Sequence, residues 1–342
     1  MINTSIALLG VALQDDEATP AAQPKFKHGL TGGGIINPER SIEQKNVACG
    51  LRANAANGAY VSEVNMGVDF ETLAYADAFG LYALAALVNV VSSPDATAGS
   101  GYYKHVITLG SKLPSLTFWG QLGDTSEQTV HKVSGAKMDT LTLEFEGNAP
   151  LDIGVTAAGI GADLFGSWSD VAEPSCFDGY FIPTGGEFLI DTGSQTPVAA
   201  VITKGGFELS NNLTAYRKAG QVVASLISEG KLTTSVNNTV TLEDWKLIRK
   251  MLTGKDNGTA ITSAIVYGSC KWKFTHSLDP KCTLEVKFEN VPWNAEMPEV
   301  DPEGSAAEVE FSADDVGIAS KDGTPVTITI VNKVEKYIEE QE

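Results

Sequence analysis

Residues 132–159 read KVSGAKMDTLTLEFEGNAPLDIGVTAAG, and the alternation inside this stretch decides the fold. Leu141, Leu143 and Phe145 fall on one side of an extended chain. Thr140, Thr142, Glu144 and Glu146 fall on the other, because a strand sends successive side chains to opposite faces. After a turn around Gly147 and Pro150 the period resumes with Leu151, Ile153 and Val155. The stretch reads as a long β-hairpin with one face for a core and one for water. Two strands alone are only marginally stable, so the hairpin requires neighbours.

Working outward, strands are expected at 103–109 and 114–122, with the hairpin over 130–158. Before them, residues 46–68 read as strands with a turn near Asn57-Gly58. An Ala-rich helix follows over 70–88, with Phe70, Leu73, Ala74, Asp77, Leu81, Leu84 and Val88 at near-helical spacing. The Gly-, Trp- and Asp-rich run 161–179 reads as a connection between modules. In the second half, 180–190 and 198–209 read as strands, and a second long hairpin is expected through LTAYRKAGQVVASLISEGKLTTSVNN. A helix over 241–252 has Thr241 as N-cap, Asp244 in its first turn and Gly254 just past its end. Leu242, Trp245, Ile248 and Leu252 form its expected inner stripe. Strands at 261–277 and 281–291 follow.

Each half thus carries one helix among paired strands. KVSGAKMDTLTLEFEG and ITKGGFELSNNLTAYRKAG both place a glycine before an alternating strand. The expected organisation is an extended N-terminal arm at 1–45 with one short strand, a β module at 46–165, a second, pseudo-repeated β module at 175–295, and an acidic C-terminal segment at 296–342 with strands near 307–311 and 324–331.

The chain has 342 residues, 43 acidic against 24 basic, for a net charge of −19. Binding to nucleic acid phosphates requires clustered Lys and Arg. The densest basic group is Lys246, Arg249 and Lys250 on one helix, so a DNA-binding role is not expected. Cys49, Cys176, Cys270 and Cys282 match no zinc or redox spacing and read as buried thiols. The N-terminus lacks the basic region of a signal peptide, and no stretch approaches the roughly 20 apolar residues of a membrane span.

Catalytic motifs are missing. There is no Gly-x-Ser-x-Gly elbow, no His-Glu-x-x-His and no phosphate loop. His28, His105, His131 and His276 are scattered, and His105 reads as a structural histidine in an alternating strand. Cys270, His276 and Cys282 fall on adjacent strands, where packing is a better reading than metal binding. No enzyme activity, cofactor or metal is expected.

The order of features carries a resemblance. An Ala-rich helix precedes a strand with His105, then the Leu-Pro-Ser-Leu-Thr run at 113–117, then the glycine-led hairpin from Gly135 to Gly161. With the opening segment GVALQDDEATPAAQPKFKHGLTGGGI at 10–35, this resembles the tail tube (major tail) proteins of long-tailed bacteriophages over about residues 5–295. The resemblance implies a mainly β fold with two helices: tandem sandwich or barrel modules whose long hairpins form a β-barrel between subunits. It implies a structural virion protein that stacks as rings into a tube conducting DNA without binding it specifically. Two modules per chain favour a homotrimeric, pseudo-sixfold ring over a homohexamer. Tape measure, terminator and baseplate proteins are the implied partners, and the tail, after assembly in the host cytoplasm, is the location. Thr140, Thr142, Glu144, Glu146, Ser225 and Glu229 are expected to face the lumen, where carboxylates would repel passing phosphates. The alternative is a β module of a baseplate hub, tail terminator or adhesin, present in few copies.

Overall fold

The computed structural model describes residues 7–45, 58–123, 130–166, 179–193, 198–298, 306–321 and 323–338. The first part of the chain forms β1 (Ala7–Leu13), β2 (Phe26–His28), β3 (Gly32–Gln44), β4 (Ala59–Leu73), α1 (Ala76–Leu87), β5 (Val88–Pro94), β6 (Tyr103–Leu109) and β7 (Leu116–Leu122). The middle forms β8 (Val130–Glu146), β9 (Asp152–Gly159), β10 (Gly161–Gly166), β11 (Phe181–Asp191), β12 (Val198–Ala199), β13 (Val201–Ser210), β14 (Thr214–Tyr216), β15 (Leu226–Ser228) and β16 (Thr233–Thr241). The last part forms α2 (Lys246–Thr253), β17 (Gly268–His276), β18 (Thr283–Val291), β19 (Asn294–Ala295), β20 (Glu308–Ala313) and β21 (Val326–Asn332).

The expected hairpin is the hub of the larger, 12-stranded antiparallel sheet. The second half of β8 pairs with β9 on one side and β13 on the other; its first half pairs with β10 and β7. A bulge between Met138 and Thr140 separates the two halves, and such an irregularity bends and twists a strand. The smaller sheet runs β12-β11-β17-β18-β21-β6-β5. Leu141, Leu143 and Phe145 are buried between the sheets. There the Phe145 ring meets Trp272 at 5.2 Å and Phe274 at 5.3 Å. The Trp272 indole donates to Asn238 Oδ1 at 2.8 Å, which satisfies its one polar atom. The architecture is therefore mainly β, sandwich-like, with two helices.

Apart from Asp77 in its first turn, α1 is apolar all round, and it packs against β8, β6, β21, β5 and β2. A helix without a polar face belongs in a core. Its start lies later than the helical spacing predicts. Phe70 and Leu73 belong to β4, where Val68, Phe70 and Thr72 are buried and Asp69 and Glu71 exposed, so a period of two prevails until Leu73. α2 also begins later: Thr241 stays in β16, and Asp244 Oδ1 accepts the Lys246 amide at 2.8 Å. Trp245 sits at the N-cap position and is 51% exposed, so it does not belong to the buried stripe, which consists of Ile248 and Met251. Gly254 closes the helix at φ 71°, the left-handed conformation glycine adopts freely.

Residues 7–44 hold three strands where the sequence suggests one, and Leu9 and Val11 of β1 are fully buried. The second long hairpin is built differently from expectation. Its outer arms are β13 and β16, paired from Val201↔Thr241 to Ser210↔Thr233, and β14 and β15 form a separate two-stranded sheet within the connection. β8 and β13, which carry the two similar strings, are neighbours, and β6 and β18 of the two halves share the smaller sheet. Cys49, Cys176 and most of the run 161–179 lie outside the described residues. Among the described residues no helix is long and apolar enough to cross a membrane.

Candidate assembly surface

Eight strands of the larger sheet, in the order β3-β4-β9-β8-β13-β16-β20-β19, form one continuous arc. Its inner face is the core. Its outer face is set by register. One row runs Glu71, Gly154, Thr142, Glu208, Ser235; the next runs Asp152, Glu144, Gly206, Asn237, Ser312. A third holds Glu146, Lys204, Thr239 and Glu310. Acids predominate on this face, with Lys204 as the basic group opposite Glu146. Glu144, Glu146, Glu208 and Glu310 are all exposed. A shallow trough of about 350 Å³ between Thr142, Glu144, Glu208, Asn237 and Glu310 crosses the middle of the arc.

Gly154 permits the close approach of β9 to β8. A Cβ there would lie 2.6 Å from Thr142 Oγ1, which instead accepts the Gly154 amide at 3.0 Å. The structure thus brings Thr140, Thr142, Glu144 and Glu146 together on one polar face, as the alternation predicts.

Ser225 and Glu229 are placed differently. They flank β15, on the small β14–β15 hairpin. Ser225 donates to Gln221 Oε1 at 2.5 Å. Glu229 pairs at 3.0 Å with Lys137, whose side chain is 5% exposed, and Lys137 also donates to the Ile227 carbonyl at 3.3 Å. Arg217 of the same hairpin pairs with Glu63 at 3.1 Å, and the Val64 amide donates to the Val222 carbonyl at 2.8 Å. These contacts tie the hairpin to β8 and β4. No local pattern signals this pairing, because Lys137 and Glu229 are 92 residues apart.

The arc has two ends. Among the described residues β3, a 13-residue strand, pairs in the sheet only with β4. Pro38, which has no amide hydrogen to donate, lies in this strand opposite Met66, and an edge tolerates it. At the far end, among the described residues, β19 pairs with β20 at Ser312 and Phe311.

His28 and His105 are buried and hydrogen-bonded within the core. His28 is fully buried; Tyr82 donates to its Nε2 at 2.5 Å and its Nδ1 donates to the Gly29 carbonyl at 2.8 Å. Burial lowers its pKa from 6.5 to about 4. His105 contacts Ser92 at 2.8 Å and the Val334 carbonyl at 2.8 Å, and burial lowers its pKa too. Cys270 and Cys282 are buried free thiols; burial pushes the Cys282 pKa to about 11. No cluster of three or more metal-binding side chains occurs among the described residues.

The architecture defines a mainly β, sandwich-like protein with a wide acidic sheet face. A family model described as phage tail tube protein matches residues 4–313. The chain belongs to this family. No curated protein matches it. Membership makes the chain a structural component of the virion tail that assembles with itself and contacts other tail proteins.

Proposed function

We propose that the chain polymerises as stacked rings into the tail tube that conducts DNA into the host, with the arc's acidic face lining the lumen. The observation that carries this reading is the arc itself: one polar, acid-rich face bounded by β3 and β19 as its end strands. Unpaired edges invite pairing, and closing a ring of arcs satisfies them. The β3 edge of one copy would meet the β19–β20 end of the next.

Strand spacing supports three copies per ring. Neighbouring strands lie about 4.8 Å apart and barrel strands tilt by about 40°, so three eight-strand arcs close at a diameter of about 48 Å. Side chains reduce this to a channel of about 35–40 Å, which admits a DNA duplex. Six copies would double the barrel diameter, to about 95 Å. The two-module reading rests on β8 and β13, neighbours with like alternation.

Thr140, Thr142, Glu144 and Glu146 would line the channel, with Ser225 and Glu229 at its margin on the hairpin folded toward β8. Carboxylates there repel phosphates and keep the genome mobile. Tape measure, terminator and baseplate proteins would engage the tube's interior and ends, and assembly would occur in the host cytoplasm. Electron microscopy of the purified protein tests the proposal. Long hollow tubes with threefold rings are expected; discrete rings or persistent monomers would favour the baseplate hub, terminator or adhesin reading.

A further inference from the structure

Among the described residues, the smaller sheet is made of two groups of strands that meet only at β21, the last of the strands in chain order. β12, β11, β17 and β18 form one group, β6 and β5 the other, and β21 lies between them. It pairs with β18 from Thr283↔Val331 to Phe288↔Val326, and with β6 from Ile328↔Ile107 to Asn332↔Tyr103. A sheet without its middle strand presents two open edges, each a template for wrong pairing. β21 also lies beyond residue 313, where the family match ends.

The residues after β21 pin it in place. Asn332 Nδ2 donates to the Ala76 carbonyl at 2.9 Å and to Tyr337 Oη at 2.7 Å. Tyr337 Oη donates to the Asp77 carbonyl at 3.0 Å, and its ring meets His105 edge-on at 4.7 Å. The ring fills a niche over Gly80 so closely that a Cβ there would lie 2.1 Å from the hydroxyl oxygen. Lys25 Nζ donates to the carbonyls of Lys336 and Tyr337 at 2.9 and 3.1 Å. At the other end Thr324 Oγ1 accepts the Leu109 amide at 3.2 Å. The connection from β20 is mostly exposed, and Gly317 has open space around it.

We infer that residues 324–337 are a keystone segment. The rest of the chain holds a slot between β18 and β6 that this segment fills. The smaller sheet therefore closes, and the chain becomes competent to assemble, only once residues 324–337 have docked. The gating of assembly rests on the tube reading above; the slot does not.

The test uses the full chain with a protease site placed at the exposed residues 318–321. After cleavage of the folded protein, fragment 322–342 is expected to co-elute with the body on size exclusion. Stripping the fragment in denaturant and refolding should weaken hydrogen-exchange protection of the β6 amides by at least about tenfold. A synthetic 322–342 peptide should restore it, and a Tyr337→Ala peptide should bind about 100-fold more weakly. Electron microscopy of the same samples should show tubes from the stripped chain only after peptide is added. A fragment that elutes alone from a native body, or a stripped chain that keeps β6 protection, overturns the slot. A stripped chain that lacks this protection yet forms tubes overturns the gate. Intact protein that never forms tubes refutes the tube reading and the gate together, and the slot is then judged on the exchange data alone.

Discussion

Acidification from pH 7.5 to 4.5 should destabilise the protein through one buried imidazole. His28 is wholly buried, and its hydrogen-bonding neighbours Tyr82, Gly29 and Thr72 are uncharged. The ring is satisfied as the neutral tautomer, and no carboxylate among these partners offsets a proton. In the unfolded chain the group titrates near 6.5; in the folded protein it titrates near 4. Between those values the unfolded state binds more protons, so stability falls as pH falls and the loss is complete below about pH 4. Integrating from pH 7.5 to 4.5 gives a loss of about 2.5 kcal/mol from this group. Urea unfolding of dilute protein, followed by tryptophan fluorescence, should show it as a difference between wild type and His28→Gln. The two stability curves should converge by about 2.5 kcal/mol on acidification, with contributions from His105, His131 and the carboxylates cancelling. Curves that run parallel to within about 0.5 kcal/mol would refute the assignment of a neutral, protected His28.

Gly80→Ala should lower stability by about 2 kcal/mol: overpacking against Tyr337 outweighs the gain of about 1 kcal/mol in helix propensity. Calorimetry would show a lower Tm, and an unchanged Tm would mean the niche is looser than described. Lys137→Met should cost about 2–4 kcal/mol by leaving Glu229 without its partner, with part of the loss recovered by adding Glu229→Gln; denaturant titration of the single and double variants checks this. Ile248→Ala should cost about 2–4 kcal/mol, whereas Trp245→Ala should cost less than about 1 kcal/mol because half of its surface is already in water; the same titrations rank them. Glu144→Lys with Glu146→Lys should leave tube formation intact and slow DNA ejection from the virion. Wild-type ejection kinetics would remove these positions from the lumen.

What lay in the sequence was local periodicity. The alternation at 140–146 located a strand, its polar face and its buried face, since a period of two depends only on neighbouring residues. Gly254 marked a helix end for the same reason. Where two periods overlap, spacing alone is ambiguous: Phe70 and Leu73 suit a helix face but serve β4, because the strand beside them offers a ladder that sequence spacing does not show. Trp245 looked like core and stands half in water, because burial depends on what lies opposite. Tertiary structure alone decided the pairing of Lys137 with Glu229, the place of β21 between β18 and β6, and the arc that joins both halves of the chain. Those depend on contacts between residues far apart in the chain, which are selected by the closing of one shared core.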